Sequence, residues 1–155
     1  MFRKVMVVND DEISLFVSSK MIAKTGFAAE IITAVNGLKA LQVFDQLLLN
    51  SKGPAEVPEL VFLDLHMPVM DGWEFLELFS EKYAYIFPSV RFAILSSSID
   101  PDDLYKIKRF SAIVDMVPTP LSFEILSGLK EKYAQNNFQF PPINHAAVLQ
   151  DQMIA

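Results

Sequence analysis

The chain predicts a doubly wound α/β domain, a parallel sheet of five strands with helices on both faces. Three observations predict it. Short apolar runs without polar alternation recur, as in Val5-Met6-Val7-Val8 and Leu60-Val61-Phe62-Leu63, which is how strands covered on both faces read. Each run is followed by a segment of helical period, giving five β-α units in sequence. The 155 residues, 52% of them apolar, suffice for one core of ordinary size and argue against disorder.

The elements follow in order. Val5-Met6-Val7-Val8 is the first strand and ends in Asn9-Asp10-Asp11-Glu12. Ile13, Phe16, Val17 and Met21 mark a helical face, with Gly26 as its C-terminal cap. Glu30-Ile31-Ile32-Thr33-Ala34 reads as the second strand and Asn36-Gly37 as a turn, after which Leu38, Leu41, Phe44 and Leu48 form a second helical face. Residues 51–58 are a polar loop bearing Gly and Pro. The third strand, Leu60-Val61-Phe62-Leu63, stops at Asp64 and runs into Leu65-His66-Met67-Pro68-Val69-Met70-Asp71-Gly72. Residues 73–83 are helical, with Leu76 and Phe79 on one side. Phe92-Ala93-Ile94-Leu95 is the fourth strand, leading into Ser96-Ser97-Ser98. Asp100 suits an N-cap, Pro101 the first helical position, and Asp102-Asp103 complement the helix dipole. Residues 112–117 are the fifth strand and 122–134 the fifth helix. Residues 1–135 thus form one domain. Residues 136–155, with Asn136-Asn137 and Pro141-Pro142, read as a C-terminal tail too short for an output domain.

Composition excludes several classes. A net charge of −6 gives no basic face for nucleic acid. The absence of cysteine excludes disulfides and thiolate metal sites and is compatible with the cytoplasm. No run approaches the ~18 apolar residues of a membrane span, and the first apolar run is too short for a signal peptide. What the sequence offers instead is two strands that each end in carboxylate. Such strands can gather acids at the carboxyl edge of the sheet, where open α/β folds bind ligands. A pocket of that kind suits a hard cation such as Mg2+ together with a phosphoryl group.

Taken in order, Val8-Asn9-Asp10-Asp11-Glu12, Leu63-Asp64-Leu65-His66-Met67-Pro68-Val69-Met70-Asp71-Gly72, Leu95-Ser96-Ser97-Ser98 and Thr119-Pro120 resemble the receiver domains of two-component response regulators. The resemblance covers roughly residues 2 to 134. It implies a flavodoxin-like strand order, 2-1-3-4-5, with Asp10 and Asp64 side by side. It implies that Asp64 accepts a phosphoryl group from a histidine kinase or phosphotransfer protein. Mg2+ would be held by Asp10, Asp64 and the backbone carbonyl of His66, and through water by Asn9. Ser96 is implied to hydrogen-bond the phosphoryl oxygens, with Thr119 at the other switch position. The implied protein is a stand-alone cytoplasmic signalling receiver, not an enzyme, that acts on a downstream protein target through the face around the fourth helix (residues 102–110), the fifth strand and the fifth helix.

Two departures from the family pattern bear on function. Asn9 stands where an acid is usual, which removes a negative charge and weakens the expected Mg2+ binding. Thr119 stands where lysine is usual; threonine can donate a hydrogen bond but carries no charge. Arg91, at the far end of its strand, does not replace that lysine. Met116, where the family often has Tyr or Phe, reads as core packing, and Asp11 as a cap. A degenerate receiver that binds a partner without phosphorylation is therefore the alternative. A haloacid-dehalogenase phosphatase also places Asp after an apolar strand, but it needs a second Asp where this chain has His66.

Overall fold

The computed structural model describes residues 1–50, 53–96 and 100–135. Ser51, Lys52, Ser97, Ser98, Ile99 and the proposed tail from Asn136 to Ala155 lie outside the described residues. Five strands, β1 (Phe2–Val8), β2 (Ala28–Ala34), β3 (Leu60–Asp64), β4 (Arg91–Ser96) and β5 (Ile113–Pro118), form one parallel sheet in the order β2-β1-β3-β4-β5. The helices are α1 (Glu12–Thr25), α2 (Gly37–Leu49), α3 (Gly72–Lys82), α4 (Pro101–Ile107) and α5 (Phe123–Gln135). The strand order is the one the resemblance implies. A 3-10 turn at Pro54–Glu56 lies within the stretch read as loop.

Alternate strand residues feed two cores, because side chains along a strand point to opposite faces. Met6, Val8, Val61, Leu63, Phe92 and Ile94 face α2 and α3, where Phe44, Phe75 and Phe79 pack. Val5, Val7, Leu60, Phe62, Ala93 and Leu95 face α1 and α5, where Ile22, Leu126 and Leu129 pack. Burial on both faces is why these strands carry continuous apolar runs. Met116 packs on the first core, as expected of a packing residue.

Caps fix the helix starts. Asp11, Asn36, Asp71 and Asp100 each accept a backbone N–H from the first turn of the following helix, and this stabilises each helix by about 1 kcal/mol. Gly26 closes α1 in the left-handed conformation, φ 62°, as expected.

Two helical faces differ from their expected positions, α2 only at Leu38 and Leu48, since Leu41 and Phe44 are buried as expected. On α1, Ile13 and Phe16 are exposed at 75% and 63%, and the buried stripe is Leu15, Ser18 and Ile22. On α2, Leu38 and Leu48 are exposed, while Gly37, Ala40, Leu41 and Phe44 are buried. In both helices apolar residues are dense enough to form more than one stripe at helical spacing, and the sheet's position selects which one is covered. α4 ends at Ile107, short of Phe110.

Candidate functional site

Register brings the candidate residues to one edge. Val8 pairs with Leu63, so Asn9 follows its strand level with Asp64. Asp64 pairs with Leu95, and Ser96, one residue further, pairs with Pro118, which precedes Thr119. The carboxyl ends of β1, β3, β4 and β5 therefore present Asn9, Asp10, Asp64, Ser96 and Thr119 together. Asp64 and Ser96 are half-buried, Thr119 is half-buried and Asp10 is exposed. The Thr119–Pro120 peptide bond is cis, as the resemblance implies.

The loop after Asp64 folds back onto its own strand end. The Gly72 N–H donates to the Leu65 carbonyl at 2.9 Å. A Cβ at Gly72 would lie 2.6 Å from the Asp64 carbonyl oxygen and 2.8 Å from Leu65 Cα, so only glycine permits this approach. The start of α2 locks the loop from outside, with the Gly37 N–H donating to the Met70 carbonyl at 3.0 Å. Between these two anchors Val69 adopts φ 71° while 74% exposed. A β-branched residue there is strained. Val69→Gly is expected to stabilise the domain by about 0.5–1 kcal/mol, since relief of the left-handed penalty outweighs the entropy of glycine. Thermal unfolding of the two proteins checks this; a lower melting temperature for the variant contradicts it.

Asp64 carries the electrostatics of the site. Burial raises its carboxyl above the ordinary value of 3.8 and the negative charge of Asp10 adds to this, while the His66 N–H opposes it. That N–H donates to Asp64 Oδ1 at 3.2 Å. Among the described residues, no ion pair involves Asp10 or Asp64. Two anions side by side without a cation suit a divalent ion, and Asp10, Asp64 and a nearby backbone carbonyl supply hard oxygen donors of the type Mg2+ takes. The described residues hold no group of three His, Cys, Asp or Glu placed to ligate a metal.

The two departures have structural correlates. Asn9 is buried, and its side-chain oxygen accepts the Asp11 N–H at 3.0 Å, leaving that oxygen one further lone pair. Asp11 accepts from the Ser14 hydroxyl and the Ile13 N–H, which hold its carboxyl below the ordinary value. It is the cap of α1, so the acidic residue of this edge is Asp10. Arg91 begins β4 and donates to the Pro88 and Val90 carbonyls at the opposite end from Ser96.

One cluster beside the site is not evident from the sequence. The His66 ring contacts Asp103 Oδ2 through Nε2 at 3.1 Å, and the Trp73 indole N–H donates to Asp103 Oδ1 at 3.1 Å. Phe110 stacks on Trp73 at a centroid distance of 6.0 Å, and Lys106 Nζ lies 5.5 Å from the same ring. The dipole of α4 accounts for an acid at position 103 as well as its burial does, so only the folded chain distinguishes the two.

Comparison with known proteins agrees with this geometry. The family model for the response regulator receiver domain matches residues 5–126. A hybrid signal transduction histidine kinase L from Dictyostelium discoideum is 27% identical over 86% of this chain, which spans 7% of that protein. A probable methanogenesis regulatory protein, FilR2, from Methanothrix harundinacea is 27% identical over 83% of the chain and 79% of its own length. A crystal structure of a two-component response regulator from Cytophaga hutchinsonii superposes with a TM-score of 0.73 at 26% identity, covering 86% of this chain and 98% of that one. Fold, edge geometry and family match converge: this chain belongs to the response regulator receiver domain family.

Proposed function

We propose that this receiver works in a two-component phosphorelay, taking a phosphoryl group on Asp64 from a histidine kinase or phosphotransfer protein in the cytoplasm. The observation that carries this reading is Asp64 itself, a half-buried carboxylate at the carboxyl end of β3 with one oxygen steadied by the His66 N–H. A carboxylate oxygen attacks phosphorus, the bond from phosphorus to the donor breaks, and an acyl phosphate remains on Asp64. Mg2+ would be held by Asp10, Asp64 and the His66 carbonyl, with Asn9 reaching it through water, and when bound it offsets the repulsion between the two anions. Ser96 and Thr119 border the space the phosphoryl oxygens would enter.

Two surfaces support protein partners. Ile13 and Phe16, exposed at the start of α1, lie just beyond Asp10 on the chain and give a phosphoryl donor an apolar rim. Leu104, Tyr105 and Phe123 are exposed on α4 and α5, where a downstream target would read the domain. Among the described residues, no helix is long and apolar enough to cross a membrane.

The test is incubation with Mg2+ and a small phosphodonor such as acetyl phosphate, read by intact mass. One added phosphoryl group that requires Mg2+ supports the reading. A chain that takes up none supports the degenerate receiver instead, the reading that Thr119 in place of lysine favours. A further consequence concerns Asn9. Asn9→Asp restores a negative charge and is expected to tighten Mg2+ about tenfold, since ligand charge tunes cation affinity and a gain of about 1.4 kcal/mol is tenfold. Unchanged affinity in a metal titration contradicts the placement of Asn9 in the metal pocket.

A further inference from the structure

We propose that Asp103 is a positioning residue that ties α4 to the phosphoryl-acceptor loop, so that occupancy of Asp64 is transmitted to α4 through His66 and Trp73. The inference rests on the acceptor reading of Asp64. Of the seven residues of α4, Asp103 alone is buried. A buried carboxylate is costly unless its oxygens are bonded, and here each oxygen has its own partner. Trp73 Nε1 donates to Oδ1 and the His66 ring to Oδ2, both at 3.1 Å. An ionised carboxylate only accepts, so His66 Nε2 carries the hydrogen. The two partners lie on either side of the loop: His66 is two residues past Asp64 and Trp73 is the second residue of α3.

His66 is thereby joined to the acceptor and to α4 at once. Its N–H holds Asp64 Oδ1 at 3.2 Å, its carbonyl is a proposed cation ligand, and its ring holds Asp103. Movement of the main chain at His66 on phosphorylation must carry Asp103 with it or break the part-buried hydrogen bond between them. Trp73 fixes the other oxygen, and Phe110 and Lys106 clasp the same ring from α4 and the turn after it. Coupling of this kind depends on a contact whose energy differs between two arrangements of one element. It uses neither the charge missing at Thr119 nor an aromatic residue at position 116.

Beryllofluoride, a stable mimic of the phosphoryl group, tests the proposal with Mg2+ present. Its occupancy is read by fluorine NMR, and the response of α4 by amide hydrogen exchange over residues 102–108. In the unmodified protein, bound beryllofluoride is expected to change exchange in α4 about fivefold or more, the lower end of allosteric couplings. Asp103→Ala is expected to bind the mimic and lose that change, while Asp103→Asn, whose amide oxygen accepts from Trp73 and whose amide N–H donates to the other tautomer of the His66 ring, retains it. His66→Ala, compared at saturating mimic, is expected to lower the α4 response and serves if Asp103→Ala fails to fold. An α4 response in Asp103→Ala or His66→Ala equal to that of the unmodified protein overturns the proposal. So does bound mimic without any α4 response in the unmodified protein, or loss of the response in Asp103→Asn. A protein that takes up no beryllofluoride overturns the acceptor reading, and this proposal with it.

Discussion

Replacing Asp64 with asparagine is expected to stabilise the domain at neutral pH while removing its acceptor. Burial, aided by the charge of Asp10, raises the folded-state pKa of Asp64 above its ordinary 3.8. The folded chain therefore holds the Asp64 proton more tightly than the unfolded chain. Ionised Asp64 weakens the fold, in full above the raised folded pKa and not at all below the unfolded one. Asparagine keeps an oxygen for the His66 N–H and discards the charge. Because Asp64 is only half-buried and solvent screens it, the gain is about 1 kcal/mol, within the usual range for relieving functional strain. It corresponds to a melting temperature about 3 °C higher. The gain is expected to vanish as pH falls through the window between the folded pKa and 3.8. Melting curves across pH check this. A destabilised Asp64→Asn at neutral pH, or a gain that grows in acid, contradicts it. Mg2+ is expected to narrow the difference by stabilising the unmodified protein alone.

Thr119→Lys is expected to tighten beryllofluoride binding about tenfold, because a charge-assisted hydrogen bond contributes roughly 1.5–3 kcal/mol where a hydroxyl contributes less. Thr119 is half-buried and follows Pro118, the partner of Ser96, so a lysine there extends from the same edge as Asp64. A ligand shifts a two-state equilibrium only by its differential interaction with the two states. The added contact is thus expected to widen the affinity gap for a downstream partner between the phosphorylated and unphosphorylated protein. Unaltered beryllofluoride affinity in Thr119→Lys shows that position 119 does not reach the phosphoryl group. A tenfold partner-affinity change in the unmodified protein, about 1.4 kcal/mol, shows that threonine does not disable the switch.

Strand ends and caps were legible in the sequence because they depend on residues adjacent in the chain. The run Leu60 to Leu63 ending at Asp64, the cap at Asp100 and the left-handed Gly26 are local decisions. The covered face of α1 was not legible, and that of α2 was legible only at Leu41 and Phe44, because apolar residues surround both helices and burial is assigned by the sheet beneath them. In α1 the buried stripe even passes through Ser18. The Asp103 cluster was hidden for a related reason. Its partners lie 37 and 30 residues away and meet only when β3, α3 and α4 are assembled. Strain at Val69 was equally invisible, since valine gives no sign of a positive φ. Asn9 and Thr119 stand out in the sequence because a motif defines what is usual at those positions. The structure then shows Asn9 bonded to the Asp11 N–H, a role that no motif specifies.

The most direct measurement of the central claim is chemical mapping of the modified residue. After treatment with a phosphodonor and Mg2+, borohydride reduces an aspartyl phosphate to homoserine, which peptide mass spectrometry locates. The account predicts homoserine at position 64 and none in Asp64→Asn. Conversion at Asp10 or Asp11, or at no position of a chain that remains folded and binds Mg2+, contradicts it.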